Sequence, residues 1–130
     1  MTPRATRASV LGSLVLDAVL VVGFAATGRA SHDSDVLSGL WGTAWPFLAA
    51  LAVGWLVTLA WRAPAAPLRT GVGLWLVTLV GGMLLRAVSG QGTALPFIIV
   101  ATLVLGATLV GWRLIAVAVR RSRAARVARG

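Results

Sequence analysis

Asp17 is the residue whose type and position point most directly to chemistry. It lies in an apolar run, directly between Leu16 and Ala18. A carboxylate at the centre of a membrane span costs roughly 2.5–3.5 kcal/mol on translocon insertion scales. We therefore expect Asp17 to face the interior of a helix bundle and to be protonated, paired or in contact with water. One hypothesis is a carboxylate that couples a proton or cation to transport.

The alternative for Asp17 is a packing contact with an arginine, a Trp indole or a threonine. At about 1.5 Å per residue, Asp17 lies roughly 12 Å and Arg86 roughly 24 Å from the same end of their respective spans, so a direct contact between them needs helix tilt or a bridging water. Arg113 lies nearer to that end and can approach Asp17 from that side. The sequence does not decide between the two arginines.

Arg29, Arg86 and Gln91 form a second polar group, near the opposite ends of the predicted spans. Their N–H groups, placed beside helix N-termini, would attract a carboxylate, a phosphate or a halide. In the alternative, the two arginines extend to lipid phosphates, as arginines near span ends often do. His32 stands in a loop with two aspartates; this group could bind a cation weakly, but it is more typical of a solvated loop.

The composition indicates an integral membrane protein. The chain has 130 residues, of which 58% are hydrophobic and 12% are charged, whereas about a quarter of a soluble domain is charged. Four apolar runs are long enough to cross a bilayer. They predict an all-α bundle of four transmembrane helices, at about 9–28, 43–61, 70–88 and 93–119, in one domain over 1–119.

A string of six residues occurs twice and opens the second and fourth predicted spans. Gly42–Phe47 reads G-T-A-W-P-F, and Gly92–Phe97 reads G-T-A-L-P-F. We expect Thr43 and Thr93 to cap the helices and Pro46 and Pro96 to lie in their first turns. We expect two parallel-repeat hairpins, related by an axis along the membrane normal. Within them the string either is only a device for starting helices or places two helix N-termini on one side, where they add to an anion-attracting cluster.

The placement of arginine predicts the topology. Basic residues concentrate at the N-terminus, between the second and third spans, and in a tail over 120–130. The positive-inside rule then places both termini in the cytoplasm, with the protein in the plasma membrane. We favour a retained first helix over a cleaved signal peptide, because the apolar stretch is long and Asp17 interrupts it. The tail is expected to contact anionic lipid heads rather than nucleic acid.

Several short strings resemble those of an uncharacterised membrane protein family, domain of unknown function 3054. They are Asp17, Gly28-Arg29 with His32, Trp45-Pro46-Phe47, Gly54-Trp55, Trp75 with Thr78, Gly82-Met83-Leu84-Leu85-Arg86, Gly90-Gln91-Gly92-Thr93-Ala94, Phe97-Ile98 and Gly111-Trp112-Arg113. The resemblance covers about residues 17–113 and implies a four-span architecture without an assigned activity. It suggests that the polar residues of the family pattern are Asp17, Arg29, His32, Arg86 and Gln91.

These observations favour a small transporter or channel for an ion or polar solute, formed by a possible homodimer. The alternative is a membrane protein that binds a lipid, quinone or isoprenoid, or that stabilises a partner complex. A membrane enzyme is disfavoured because no nucleophile and base occur together. No cofactor is expected, and no metal site is expected because a single His and no Cys cannot form a conventional ligand set.

Overall fold

The structure, a computed structural model, describes residues 5–30 and 36–130, with the side chains of 28–30 and 36–38 excepted. Its helices are α1 (Arg7–Ala30), α2 (Val36–Val57), α3 (Gly73–Val88), α4 (Leu95–Leu105) and α5 (Gly111–Arg129). A wider π-helical turn over Pro67–Val72 leads into α3, and another over Gly106–Val110 joins α4 to α5.

Four continuous helical segments among the described residues are long and apolar enough to cross a membrane. They run over Arg7–Thr27, Gly39–Val57, Pro67–Val88 and Leu95–Arg129. This confirms the predicted all-helical class with four potential spans. The orientation of the termini and the symmetry of the two hairpins stay predictions. The last segment is the longest, and from Ala118 onward every residue is exposed.

The helices form a closed bundle, in which α4 and α5 follow one another in one continuous segment. Helix α2 lies against both α1 and α3, and α4 contacts α3 and returns to α1. Buried apolar side chains fill the space between them, among them Val21, Leu51, Leu74, Leu105 and Leu109. The large exposed apolar residues lie along the outside of the same helices, as expected for surfaces that face lipid rather than water.

The predicted start of the second helix at Thr43 is wrong. Helix α2 begins at Val36, so Thr43 lies inside it and Pro46 lies in its interior. The helix extends upstream because residues 36–42 contain no proline and are mostly apolar. An interior proline lacks the N–H that would bond the carbonyl four residues earlier, which here belongs to Gly42.

The fourth span starts within two residues of the predicted start at Thr93, since α4 begins at Leu95. Pro96 lies in the first turn of α4, as predicted, but the helix cap is Ala94 and not Thr93. Ala94 has an extended backbone, and no side-chain hydrogen bond caps the helix. The two copies of the string therefore serve different local structures, one inside a helix and one at a helix start.

The connector between α2 and α3 brings backbone close to α5. Leu59 adopts a left-handed conformation with φ of 54° and ends the path of α2, and a short 3₁₀ turn follows over Ala60–Arg62. Gly71, in the first π-helical turn, faces the second one. A Cβ at Gly71 would lie 3.1 Å from Arg113 Cδ and 3.4 Å from Val110 Cα, so glycine allows this close approach.

Candidate functional site

A buried ion pair between Asp17 and Arg113 is the main polar feature of the bundle interior. The two side chains are both 0% exposed, and Arg113 Nη2 lies 2.7 Å from Asp17 Oδ2. Arg113 Nη1 also donates to Asp17 Oδ1 at 2.9 Å. The two bonds are parallel, which is the bidentate geometry that guanidinium and carboxylate groups favour. Asp17 in α1 is therefore paired with Arg113 in α5 and not with Arg86.

Two tryptophans complete the shell of donors around Asp17. Trp55 Nε1 in α2 donates to Oδ2 at 3.0 Å, and Trp112 Nε1 in α5 donates to Oδ1 at 2.9 Å. With the two arginine bonds, each carboxylate oxygen accepts two hydrogen bonds. We call Asp17, Trp55, Trp112 and Arg113 the buried polar cluster. Its charges balance, and its carboxylate is fully hydrogen-bonded, which is what a buried ion pair needs to be tolerated.

Arg113 connects this cluster to the backbone around it. Its Nε donates to the carbonyl of Pro64 in the α2–α3 connector at 2.8 Å, and its Nη1 donates to the carbonyl of Leu109 at 2.9 Å. The guanidinium carbon also lies 4.4 Å from the centre of the Trp112 ring. One side chain thus joins α1, α5 and the connector. The geometry corresponds to the packing alternative for Asp17.

The sequence indicated Arg113 only as a possible partner of Asp17 and not as a site residue in its own right. One sequence feature could have pointed to Arg113. A Trp-Arg pair, Trp61-Arg62 or Trp112-Arg113, ends the apolar run that follows each repeated string. The structure separates the two pairs. Trp61 is 41% exposed and lies in the 3₁₀ turn, whereas Arg113 is fully buried.

A second polar cluster lies at the opposite end of the bundle and contains Arg86 and Gln91. Gln91 Nε2 donates to the carbonyl of Gly42 at 2.9 Å, and Arg86 Nε donates to the carbonyl of Gly92 at 2.9 Å. Arg86 Nη1 donates to Gln91 Oε1 at 2.8 Å and so holds the amide in place. The two glycines that open the repeated strings are therefore bridged by one Arg–Gln pair.

The turn after α3 positions Gln91 for this role. Gly90 has a φ of +80°, a conformation that glycine adopts without steric cost. Gln91 N–H bonds to the Arg86 carbonyl at 2.7 Å, and Gly90 N–H bonds to the Ala87 carbonyl at 3.2 Å. These are the two bonds of a Schellman motif, which ends helices by satisfying their last carbonyls.

Three phenylalanine rings pack together at the end of the bundle that contains Arg86. The rings of Phe24, Phe47 and Phe97 lie with centroids 5.2–6.1 Å apart, and the Arg86 guanidinium carbon lies 4.3 Å from the centre of the Phe97 ring. A cation over an aromatic face is favourable, more so where water is excluded. Arg86 is thereby in contact with three neutral groups, the Gly92 carbonyl, the Gln91 amide and the Phe97 ring.

Two of the expected site residues cannot be placed. His32 and the side chain of Arg29 lie outside the described residues. The predicted arrangement of two helix N-termini at the repeated strings is wrong, because α2 begins at Val36 rather than at Thr43. The structure brings Arg86 and Gln91 together, and it places Asp17 in a separate cluster near the basic end of the bundle, the end that carries Arg62, Arg69 and the arginines of α5.

An open groove adjoins the buried polar cluster at the basic end. Its volume is about 380 Å³, and it is lined by Ser9, Gly12, Ser13, Leu16, Ala65, Trp112 and Arg120. We call it the basic-end groove. Trp112 both forms part of its wall and donates to Asp17. Ser13 is one helical turn before Asp17 and is 8% exposed. Arg120 is the one charged residue of the lining.

The four long apolar helices found among the described residues are those of a multi-pass membrane protein. The chain belongs to the family described as Protein of unknown function (DUF3054), whose profile matches residues 14–116. This confirms the resemblance found in the sequence. The matched range contains both polar clusters. No curated protein and no solved structure matches the chain.

Proposed function

We propose that this protein binds an amphiphilic molecule of the membrane, such as a lipid, a quinone or an isoprenoid, in the basic-end groove. The observation that carries the proposal is the groove itself, which opens between α1 and α5 and has mainly apolar walls. Its volume of about 380 Å³ falls in the range of roughly 300–1,000 Å³ that is typical of small-molecule sites.

The buried polar cluster supports the proposal because it makes one wall of the groove rigid. The Trp112 indole is held by its hydrogen bond to Asp17 and by its stacking with Arg113. A wall that is already ordered loses little conformational entropy when a ligand binds. In this proposal the ion pair is a scaffold for the site, and it does not itself react.

The test is to fill the groove and measure what the purified protein retains. Leu16→Trp places a large ring in the groove, whereas Leu56→Trp adds the same ring to an exposed position on α2 that does not line it. Native mass spectrometry in neutral detergent should show a bound amphiphile in the wild type and in Leu56→Trp. Leu16→Trp should lose it while keeping the helical content. Equal retention in both variants would contradict the proposal.

Transport is the second candidate, and one observation favours it. Ionisable residues inside membrane spans often mark ion or proton pathways, and Asp17 and Arg113 are both fully buried. Transport would require this pair to open, since each group is already bonded to the other. Because four helices enclose little space, two copies of the chain would form the pathway. In liposomes, Asp17→Asn should then abolish pH-dependent flux, measured on purified variant that keeps the helical content of the wild type; unchanged flux would count against transport.

A further inference from the structure

We infer that the ligand of the basic-end groove is an anionic phospholipid, whose phosphate group binds Arg120. This inference rests on the proposed function and assigns the chemical class of its ligand. It is based on the order of polar and apolar groups along the groove. It is also based on the positive charge of Arg120, which remains because Asp17 is already paired with Arg113.

The groove is polar at one end and apolar at the other. Along α1 the lining runs from Ser9 to Leu16, about 10 Å apart in axial rise, and along α5 it runs from Arg120 to Trp112, about 12 Å apart. Ser9 and Arg120 lie towards the basic end, and Leu16 and Trp112 lie deeper in the bundle. A phospholipid in the adjacent leaflet has the same order, with its head group at the ends of the spans and its chains inside.

The charge of the groove is positive. Asp17 is neutralised by Arg113, and this is the sole ion pair found among residues 5–27 and 39–130. Arg120 therefore adds a positive charge that no carboxylate in that part of the chain offsets. A guanidinium group binds phosphate oxygens with two parallel hydrogen bonds. Arg120 also borders a second shallow groove of about 290 Å³ with Arg121, where the rest of a head group would lie.

Arg123 provides a matched control within the same helix. Both arginines are exposed and belong to the basic end of α5, but Arg123 does not line the basic-end groove. Replacing either one by glutamine removes one positive charge, at positions about 4.5 Å apart along the helix axis. A general attraction between the basic helix and anionic lipid would therefore change equally in the two variants, whereas a site would not.

The experiment measures lipid affinity by native mass spectrometry of the full chain in neutral detergent, with phosphatidylglycerol and phosphatidylcholine as the two probes. The wild type should prefer phosphatidylglycerol. Arg120→Gln should weaken its binding about tenfold, because a charge-assisted bond is lost, and Arg123→Gln should weaken it less than about twofold.

Three outcomes would overturn the inference. Equal losses in Arg120→Gln and Arg123→Gln would show that the helix attracts anions without a site. Equal affinity for both lipids would show that the ligand need not be anionic. Displacement of phosphatidylglycerol by inorganic phosphate alone would show that only the phosphate group is bound, and not the lipid chains in the apolar part of the groove. In each of these cases Leu16→Trp still tests the proposed function separately, because that variant removes the apolar part of the groove and leaves every arginine in place.

Discussion

Gln91 donates a hydrogen bond to the backbone carbonyl that Pro46 leaves without its helical partner. That carbonyl belongs to Gly42, and the bond from Gln91 Nε2 is 2.9 Å long. In a membrane, each backbone group must be satisfied within the protein, because lipid offers no hydrogen bonds. In the second string, Arg86 Nε donates a hydrogen bond to the backbone carbonyl of Gly92. Arg86 and Gln91 therefore have a structural role in the bundle, whatever else they bind.

This role predicts that Gln91 and Pro46 are coupled. Gln91→Leu should lower the free energy of unfolding by about 0.5–1.5 kcal/mol, the net value of one such hydrogen bond. In a Pro46→Ala background the same change should cost less, because the new alanine supplies the missing N–H to the Gly42 carbonyl. Equilibrium unfolding of the four proteins in mixed micelles measures this cycle. Strictly additive effects would show that the two residues act independently.

The two indoles around Asp17 should each contribute measurably to stability. Trp55→Phe and Trp112→Phe each remove a hydrogen bond to a charged group, at an expected cost of about 1.5–3 kcal/mol. Trp61→Phe is the control, since Trp61 is 41% exposed and lies outside the cluster. Chemical unfolding monitored by far-ultraviolet circular dichroism would compare the three. A loss for Trp61→Phe as large as for the other two would argue against a special role for the cluster.

Gly82 should not tolerate a side chain. A Cβ at this position would collide with the ring of Phe47, and forcing extra atoms into a packed core typically costs about 1–3 kcal/mol. Gly23 lies in α1, and a methyl group added there would meet no atom within 4 Å, so Gly23→Ala should leave stability unchanged or slightly raised. Thermal denaturation in detergent should separate the two alanine variants; similar midpoints would contradict the packing at Gly82.

The predicted topology is open to a direct chemical test, because the chain has no cysteine. With both termini in the cytoplasm, Ser89→Cys should react with a membrane-impermeant maleimide in intact spheroplasts. Ser122→Cys, in the exposed part of α5, should react only after permeabilisation. The reverse pattern would place the termini on the outside and would show that the positive-inside rule fails for this chain.

The class of fold could be predicted from the sequence because span length and hydrophobicity are set by the bilayer and not by details of packing. Depth along the spans was informative as well, since it disfavoured contact between Asp17 and Arg86 and left Arg113 as the nearer partner. The pair in the structure is Asp17 with Arg113. The sequence did not predict that two tryptophans donate hydrogen bonds to this same carboxylate.

The wrong predictions concern local structure that side-chain packing controls. A Thr-Ala-x-Pro string is compatible with both a helix start and a helix interior, and in the interior the Gly42 carbonyl needs a partner other than the missing N–H of Pro46. The structure supplies that partner from Gln91, which lies far away in the sequence. The two Trp-Arg pairs also diverge, because Trp61-Arg62 lies in an exposed turn and Trp112-Arg113 lies inside a continuous helix.

Asp17 and Arg113 form a buried ion pair that joins α1 to α5 next to the basic-end groove. Removing one partner of such a pair typically costs about 3–5 kcal/mol, because the other charge is left without compensation. Asp17→Asn and Arg113→Gln should therefore each be strongly destabilising, and the double variant should be much less so than their sum.

A double-mutant cycle on the free energy of unfolding tests this dependence most directly. For Asp17→Asn with Arg113→Gln, we expect a coupling energy of about 2–3 kcal/mol, at the upper end for residues in contact. For Asp17→Asn with Arg86→Gln, the effects should add within about 0.5 kcal/mol, as for distant sites. Additive effects in the Arg113 cycle, or strong coupling in the Arg86 cycle, would contradict the central role of the Asp17–Arg113 pair.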